Sequence, residues 1–154
     1  MKLSTCEDIE APIAYVFGHI SDFAILERRA LRQGAQVNRR GAGPVAGGAI
    51  WDVAFKFRGR DRNVVATLTQ FDLEQAMTVE SVSDGLVVTT HVELVALSPA
   101  RTRVMVAIDL KARTLTARLL VQSLKLAKAK LTTRLKARVL DYAEDIEDRY
   151  RHRA

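Results

Sequence analysis

The sequence predicts an α+β chain in which a curved antiparallel sheet of about seven strands wraps around one long C-terminal helix, with two short helices after the first strand. Three observations carry this reading. Residues 35–111 break into short runs of β-formers with alternating polarity, separated by turn residues. Residues 12–32 repeat their apolar side chains at helical spacing instead. From Thr114 to about Tyr150 there is no Gly or Pro and much Ala, Leu, Lys and Arg, the composition of a long helix.

Taken in order, Lys2 to Glu10 reads as the first strand. Pro12 suits a first helical turn, where its missing N–H costs little, and Ile13, Val16, Phe17 and Ile20 form the apolar face of the helix that follows. Ser21 or Asp22 ends that helix and can cap a second, running through about Arg32 to Gly34. Strands are expected near 35–40, 49–58, 61–71, 76–83, 86–97 and 101–111, joined by connections short enough for consecutive hairpins.

Alternation along these strands separates two faces. Trp51, Val53, Phe55 and Phe57 share one, with Asp52, Lys56 and Arg58 on the other. Val88, Thr90, Val92 and Leu94 form a second inner row, and Val104, Val106, Ile108 and Leu110 a third. Each strand is half-wet, so one sheet face needs a cover. The C-terminal segment is long enough to supply it. At roughly 100° per residue, Ala117, Val121, Leu124, Leu131, Leu135, Val139, Tyr142 and Ile146 fall on one stripe, which should lie against the sheet.

With 154 residues, 48% hydrophobic and 27% charged, the chain is expected to form a single domain over 1–154 with a real core. It has no apolar run of signal-peptide or membrane-span length, and a soluble, cytoplasmic protein is expected. The one cysteine, Cys6, has no partner for a disulfide and is read as an inert thiol. The net charge of +6 is not spread evenly: residues 1–112 hold 13 Lys/Arg against 13 Asp/Glu, and residues 113–154 hold 11 against 5.

Two stretches give this order of elements a relative. "IEAPIAYVFGHISDF" at 9–23 has an apolar-x-Ala-Pro opening, a Val-Phe helix and an Asp-aromatic pair, and "GGAIWDVAF" at 47–55 is a strand after a glycine-containing loop. Together they resemble the START-like SRPBCC superfamily of helix-grip proteins, which includes polyketide cyclases, lipid-transfer domains and plant-allergen-like carriers. The resemblance implies an apolar cavity between the curved sheet and the long helix, with ligand chemistry that varies among members. It also suggests that "GAGPVAGG" at 41–48 forms a lip at the cavity mouth.

Several other chemistries are disfavoured. The 41–48 loop lacks a Gly-Lys-Ser/Thr ending and precedes a strand, so no helix N-terminus is available for phosphate. His19, His91 and His152 share no metal-ligand spacing, and no metal or cofactor is expected. There is no Gly-x-Ser-x-Gly elbow or Cys/His pair, so no catalytic residue is assigned. His91 and Glu93 share a face and could form an acid/base pair, but on the side read as solvent. Asp22, Glu27, Arg28 and Arg29 fall near the cavity entrance that the resemblance implies, where solvated helix charges also account for them.

One residue breaks the pattern of the C-terminal helix. Lys128 falls inside the apolar stripe among Val121, Leu124, Leu131 and Leu135, where an unpaired ammonium is costly to bury. It can snorkel to the rim, pair with an inner acid such as Glu7, or meet the polar end of a ligand.

The leading reading is a binding module that holds an apolar or amphipathic small molecule, lipid or polyketide-like, between sheet and helix. Its expected wall is Trp51, Val53, Phe55, Phe57 and Thr90 from the sheet and Leu124, Leu131 and Leu135 from the helix, with Lys128 as polar fixture. A cyclase or dehydratase of the same superfamily is one alternative, with only Lys128, Thr90 and Glu7 as polar candidates. The other is an interaction protein whose basic helix meets an anionic surface, a peripheral membrane contact or an acidic partner. Little aromatic interleaving on the basic flanks and the five acids of "DYAEDIED" argue against nucleic acid. The sequence sets no oligomeric state.

Overall fold

The computed structural model describes residues 1–153. Its elements run β1 (Lys2–Ile9), α1 (Ile13–Ile20), α2 (Phe23–Arg32), β2 (Gln36–Arg40), β3 (Ile50–Phe57), β4 (Arg60–Asp72), β5 (Ala76–Ser83), β6 (Leu86–Ser98), β7 (Arg101–Ala112), α3 (Leu115–Leu126) and α4 (Lys128–Arg151). The seven strands form one antiparallel sheet in the order β1-β7-β6-β5-β4-β3-β2. β2 to β7 are therefore a meander, and β1 returns to pair with the last strand. The architecture is the α+β helix-grip arrangement that the periodicities predict.

Local chemistry sets the turns that matter for the site. Arg58 and Gly59, between β3 and β4, both have positive φ, as do Asp84 and Gly85 between β5 and β6. Two successive residues of that hand make the tight hairpin turn whose twist matches the strands. Both turns lie at the same end of the sheet. Asp22 caps α2, its Oδ1 accepting from the Ile25 N–H at 3.3 Å, and the Thr114 hydroxyl does the same for α3 with the Ala117 N–H at 3.2 Å.

The predicted single C-terminal helix is broken at one residue. Ala127 has φ −104° and ψ 15°, well off helical values, and its N–H reaches the Leu124 carbonyl three residues back at 3.0 Å. No Pro or Gly forces this turn. Its consequence is a change of helical phase between Leu126 and Lys128.

The core lies toward the other end of the sheet. Ile9, Ala11, Val16, Phe17, Ile20, Trp51, Leu68, Met77, Leu94, Val104, Ala143 and Ile146 form one buried cluster that joins α1 and the second half of α4 to the concave face. α4 packs along β1 and α3 on β7. A single buried hydroxyl holds the joint between β1 and α1: fully buried Thr102 on β7 donates to the carbonyl of fully buried Ala11 at 2.8 Å. Replacing Thr102 with Val keeps the shape but leaves that carbonyl unpaired, so it should cost about 1–3 kcal/mol, read as a lower urea midpoint at unchanged slope.

Candidate functional site

The concave face is apolar along its length but only partly covered. Val53, Phe55, Val64, Val79, Val88, Val92, Val106 and Ile108 alternate inward and are half-buried, and Phe57 is exposed. Two cavities result.

The larger, about 750 Å³, lies under α4 and α2 and is lined by Ile9, Ile20, Met77, Val92, Val106 and Tyr142, among others. Its charged lining is Arg29, Arg138, Asp141 and Asp145. Arg29 lies 3.6 Å from Asp145 and 5.0 Å from the centre of the Tyr142 ring, and Asp145 also takes Arg149 at 3.1 Å. Burial raises the Tyr142 phenol above its ordinary range, so it stays protonated, and its hydroxyl donates to the His19 carbonyl at 3.4 Å. Burial lowers His19, and nearby Arg149 adds to that effect. This chamber is an apolar space with a neutral phenol and a self-neutralised rim.

The smaller, about 430 Å³, sits under α3 at the end of the sheet carrying the two hairpin turns. Phe55, Phe57, Val64, Leu86, Val88, Ala117, Leu120 and Leu124 give it apolar walls, and Arg60, Arg62, Ser81, Ser83, Asp84 and Thr116 give it polar ones. β4 places both arginines inward. Arg60 stands opposite Phe57 and Arg62 opposite Phe55, in the same alternation that turns Leu68 into the core. The signal was present in the sequence: counting back from Leu68 by twos reaches Val64, Arg62 and Arg60.

The expected site residues divide among these regions. Phe55, Phe57 and Leu124 line the smaller cavity. Thr90 lies on the inner face between the two, with Val79 and Ile108 beside it. Leu131 and Leu135 are half-buried on α4 but line neither cavity. Trp51 is a core residue, packed 5.1 Å from Phe23 with its indole N–H donating to Glu27 at 2.8 Å, and Val53 packs against the same core.

Lys128 is not buried among the leucines. Every apolar member of the predicted stripe is buried or half-buried, but Lys128 is exposed in the first turn of α4. Exposure spares the ammonium its desolvation, and it forms no ion pair with Glu7; the break at Ala127 separates it from Val121 and Leu124 but leaves it in helical register with Leu131 and Leu135 of α4.

The expected entrance cluster also separates. Asp22 caps α2, Glu27 holds Trp51, the Arg28 side chain bonds to the Ala24 carbonyl, and of the four Arg29 alone lines either of these two cavities. His91 and Glu93 lie 3.8 Å apart on the convex face, with His91 Nδ1 2.7 Å from the Thr78 hydroxyl. Among the described residues no cluster of His, Cys, Asp or Glu could hold a metal ion, and no helix is long and apolar enough to cross a membrane.

The smaller cavity depends on how α3 begins. A methyl group on Gly85 would lie 2.4 Å from Thr114 Cγ2, and Gly85 has φ +78°. Its carbonyl also accepts from the Arg113 N–H at 2.7 Å. The β5–β6 turn is thus the seat of the α3 cap.

No protein-family model matches the sequence. No curated protein matches it either. Solved structures do. An aromatase/cyclase from Streptomyces, Zhui, superposes with a TM-score of 0.68 at 12% identity, covering 99% of this chain and 96% of that one. A Thermus thermophilus protein gives 0.61 at 15% identity over 96% and 97%. A START superfamily protein from Mycobacterium smegmatis gives 0.52 at 13% identity over 86% and 95%. The chain therefore has the START-like SRPBCC fold.

Gly85→Ala should displace the α3 cap, accelerating amide hydrogen exchange in Leu115–Leu126 by at least tenfold while α4 keeps its protection.

Proposed function

We propose that the chain is a binding module for an apolar or amphipathic small molecule, held between the concave sheet face and the C-terminal helices. The observation that carries this reading is the half-buried apolar inner face, with cavities of about 750 and 430 Å³, the size of small-molecule sites. The Streptomyces structure is that of an aromatase/cyclase, which makes polyketide-like aromatic molecules one ligand class to test beside fatty acids. Binding is favoured over chemistry because apolar side chains make up most of the lining of both cavities, and in the larger one Tyr142 donates to the His19 carbonyl and Arg29 stands 3.6 Å from Asp145.

A fatty acid or aromatic polyketide analogue at a hundred times its Kd should stabilise the protein by about 2.7 kcal/mol, read as a rise in Tm. Val88→Trp, which fills the smaller cavity, should reduce that rise. Absence of any shift across a broad ligand panel, with no small molecule co-purifying in native mass spectrometry, would sink this reading.

A second observation favours contact with an anionic lipid surface. Leu115, Leu119 and Leu126 are 73%, 65% and 93% exposed and fall within roughly 40° of one another on α3, opposite buried Ala117 and Val121. Exposed Arg118 and Lys125 flank them, and no Asp or Glu occurs from Thr114 to Leu140. Burying a leucine is worth about 1.5–3 kcal/mol, and each basic side chain near an anionic leaflet about 1 kcal/mol. The protein should sediment with phosphatidylserine-containing vesicles but not with pure phosphatidylcholine, and Leu119→Gln with Leu126→Gln should weaken this at least tenfold. A wild-type protein that ignores anionic vesicles, or that buries this stripe in a dimer by light scattering, contradicts it.

A further inference from the structure

We infer that the smaller cavity contains a built anion subsite, so that the bound amphipath carries a negatively charged head and that head lies at Arg62. The inference rests on the binding reading above and adds the charge and orientation of the ligand. Arg62 leaves the inner face of β4 beside Phe55, and its side chain is about three-quarters buried, at 26% exposure. Its Nε is buried and has no hydrogen-bond partner. The one carboxylate near it is Asp84 Oδ2 at 3.8 Å, on a side chain 78% exposed to solvent. An ion pair that wet and that long contributes little and leaves the guanidinium fork free.

The surroundings fit an anionic head. Arg60 lines the same cavity one inward position away, and the Ser81 and Ser83 hydroxyls on β5 line it too. A guanidinium presents paired N–H donors that match the oxygens of a carboxylate or phosphate, with hydroxyls able to complete the set. The remaining wall, from Phe55 and Val64 to Leu120 and Leu124, is apolar and suits a hydrocarbon or aromatic tail. Two inward arginines beside one solvent-facing acid leave the smaller cavity electropositive, and its Arg62 Nε is an unpartnered donor in a buried place. An orphaned donor of this kind is costly, and an incoming oxyanion relieves it.

The test uses three probes with one tail: decanoate, decyl phosphate and decanol, titrated into the wild-type protein and into Arg62→Met and Lys128→Met. Circular dichroism confirms folding, and Ser81→Val serves as a second variant should Arg62→Met not fold. Expected is a preference of tenfold or more for an anion over decanol; which anion wins identifies the head. Arg62→Met should abolish that preference while changing decanol affinity less than twofold, and Ser81→Val should reduce it. If anion and alcohol bind the wild type equally, the anion subsite is overturned and the binding reading stands. If Lys128→Met removes the preference and Arg62→Met does not, the subsite is likewise overturned. If no probe binds, the binding reading fails and the subsite with it.

Discussion

An antiparallel sheet with one apolar face must have that face covered, and in this chain the cover is incomplete. β1 and β7 hold α4 and α3 close, and α1 closes the end where Ile9, Leu68, Met77 and Leu94 are buried. Across β3 to β6 the inward valines and Phe55 reach only half-burial. Completing that burial is worth roughly 25 cal/mol per Å², so the fold retains a standing affinity for anything apolar that fits.

The division of labour along the sheet follows from where the polar residues stand. At the core end, Thr102 and Glu27 are spent on structure, one fixing the β1–α1 joint and the other anchoring Trp51. Near the middle, Arg29 and Asp145 neutralise each other at the rim of the larger cavity. At the hairpin end, Arg60 and Arg62 line one cavity, and the one acid near Arg62 is solvent-exposed Asp84. Going from core to hairpins, the face changes from satisfied to unsatisfied, which is the gradient expected where a scaffold gives way to a site.

Much of this was legible in the sequence, for definite reasons. Strand and helix positions follow from period, and the inner rows through Val88, Val92 and Val104 follow from alternation, because a half-wet sheet leaves little freedom in either. Phe55, Phe57 and Leu124 were found by the same logic. Lys128 was misplaced because a helical wheel gives a side chain's direction and not its cover: in the first turn of α4 it shares a face with half-buried Leu131 and Leu135 and is itself exposed. Arg62 was missed for the opposite reason. Its parity was readable, but an arginine next to a turn reads as solvent-facing until β3 is paired opposite and Phe55 is seen beside it.

The break and the arginines belong to one arrangement. Lys128 opens α4 exposed, so its ammonium avoids desolvation although it shares a face with Leu131 and Leu135. The turn at Ala127 ends α3 just after Leu120 and Leu124, which line the cavity with Phe55 and Val88. The last residue of α3, Leu126, is exposed in line with Leu115 and Leu119. α3 is thus apolar on two opposite sides, one toward the cavity and one outward, with its cations between. That helix, seated on the Gly85 turn by Thr114, is one wall of the arginine-bearing cavity, so whatever its outward leucines meet lies one helix away from the cavity's contents.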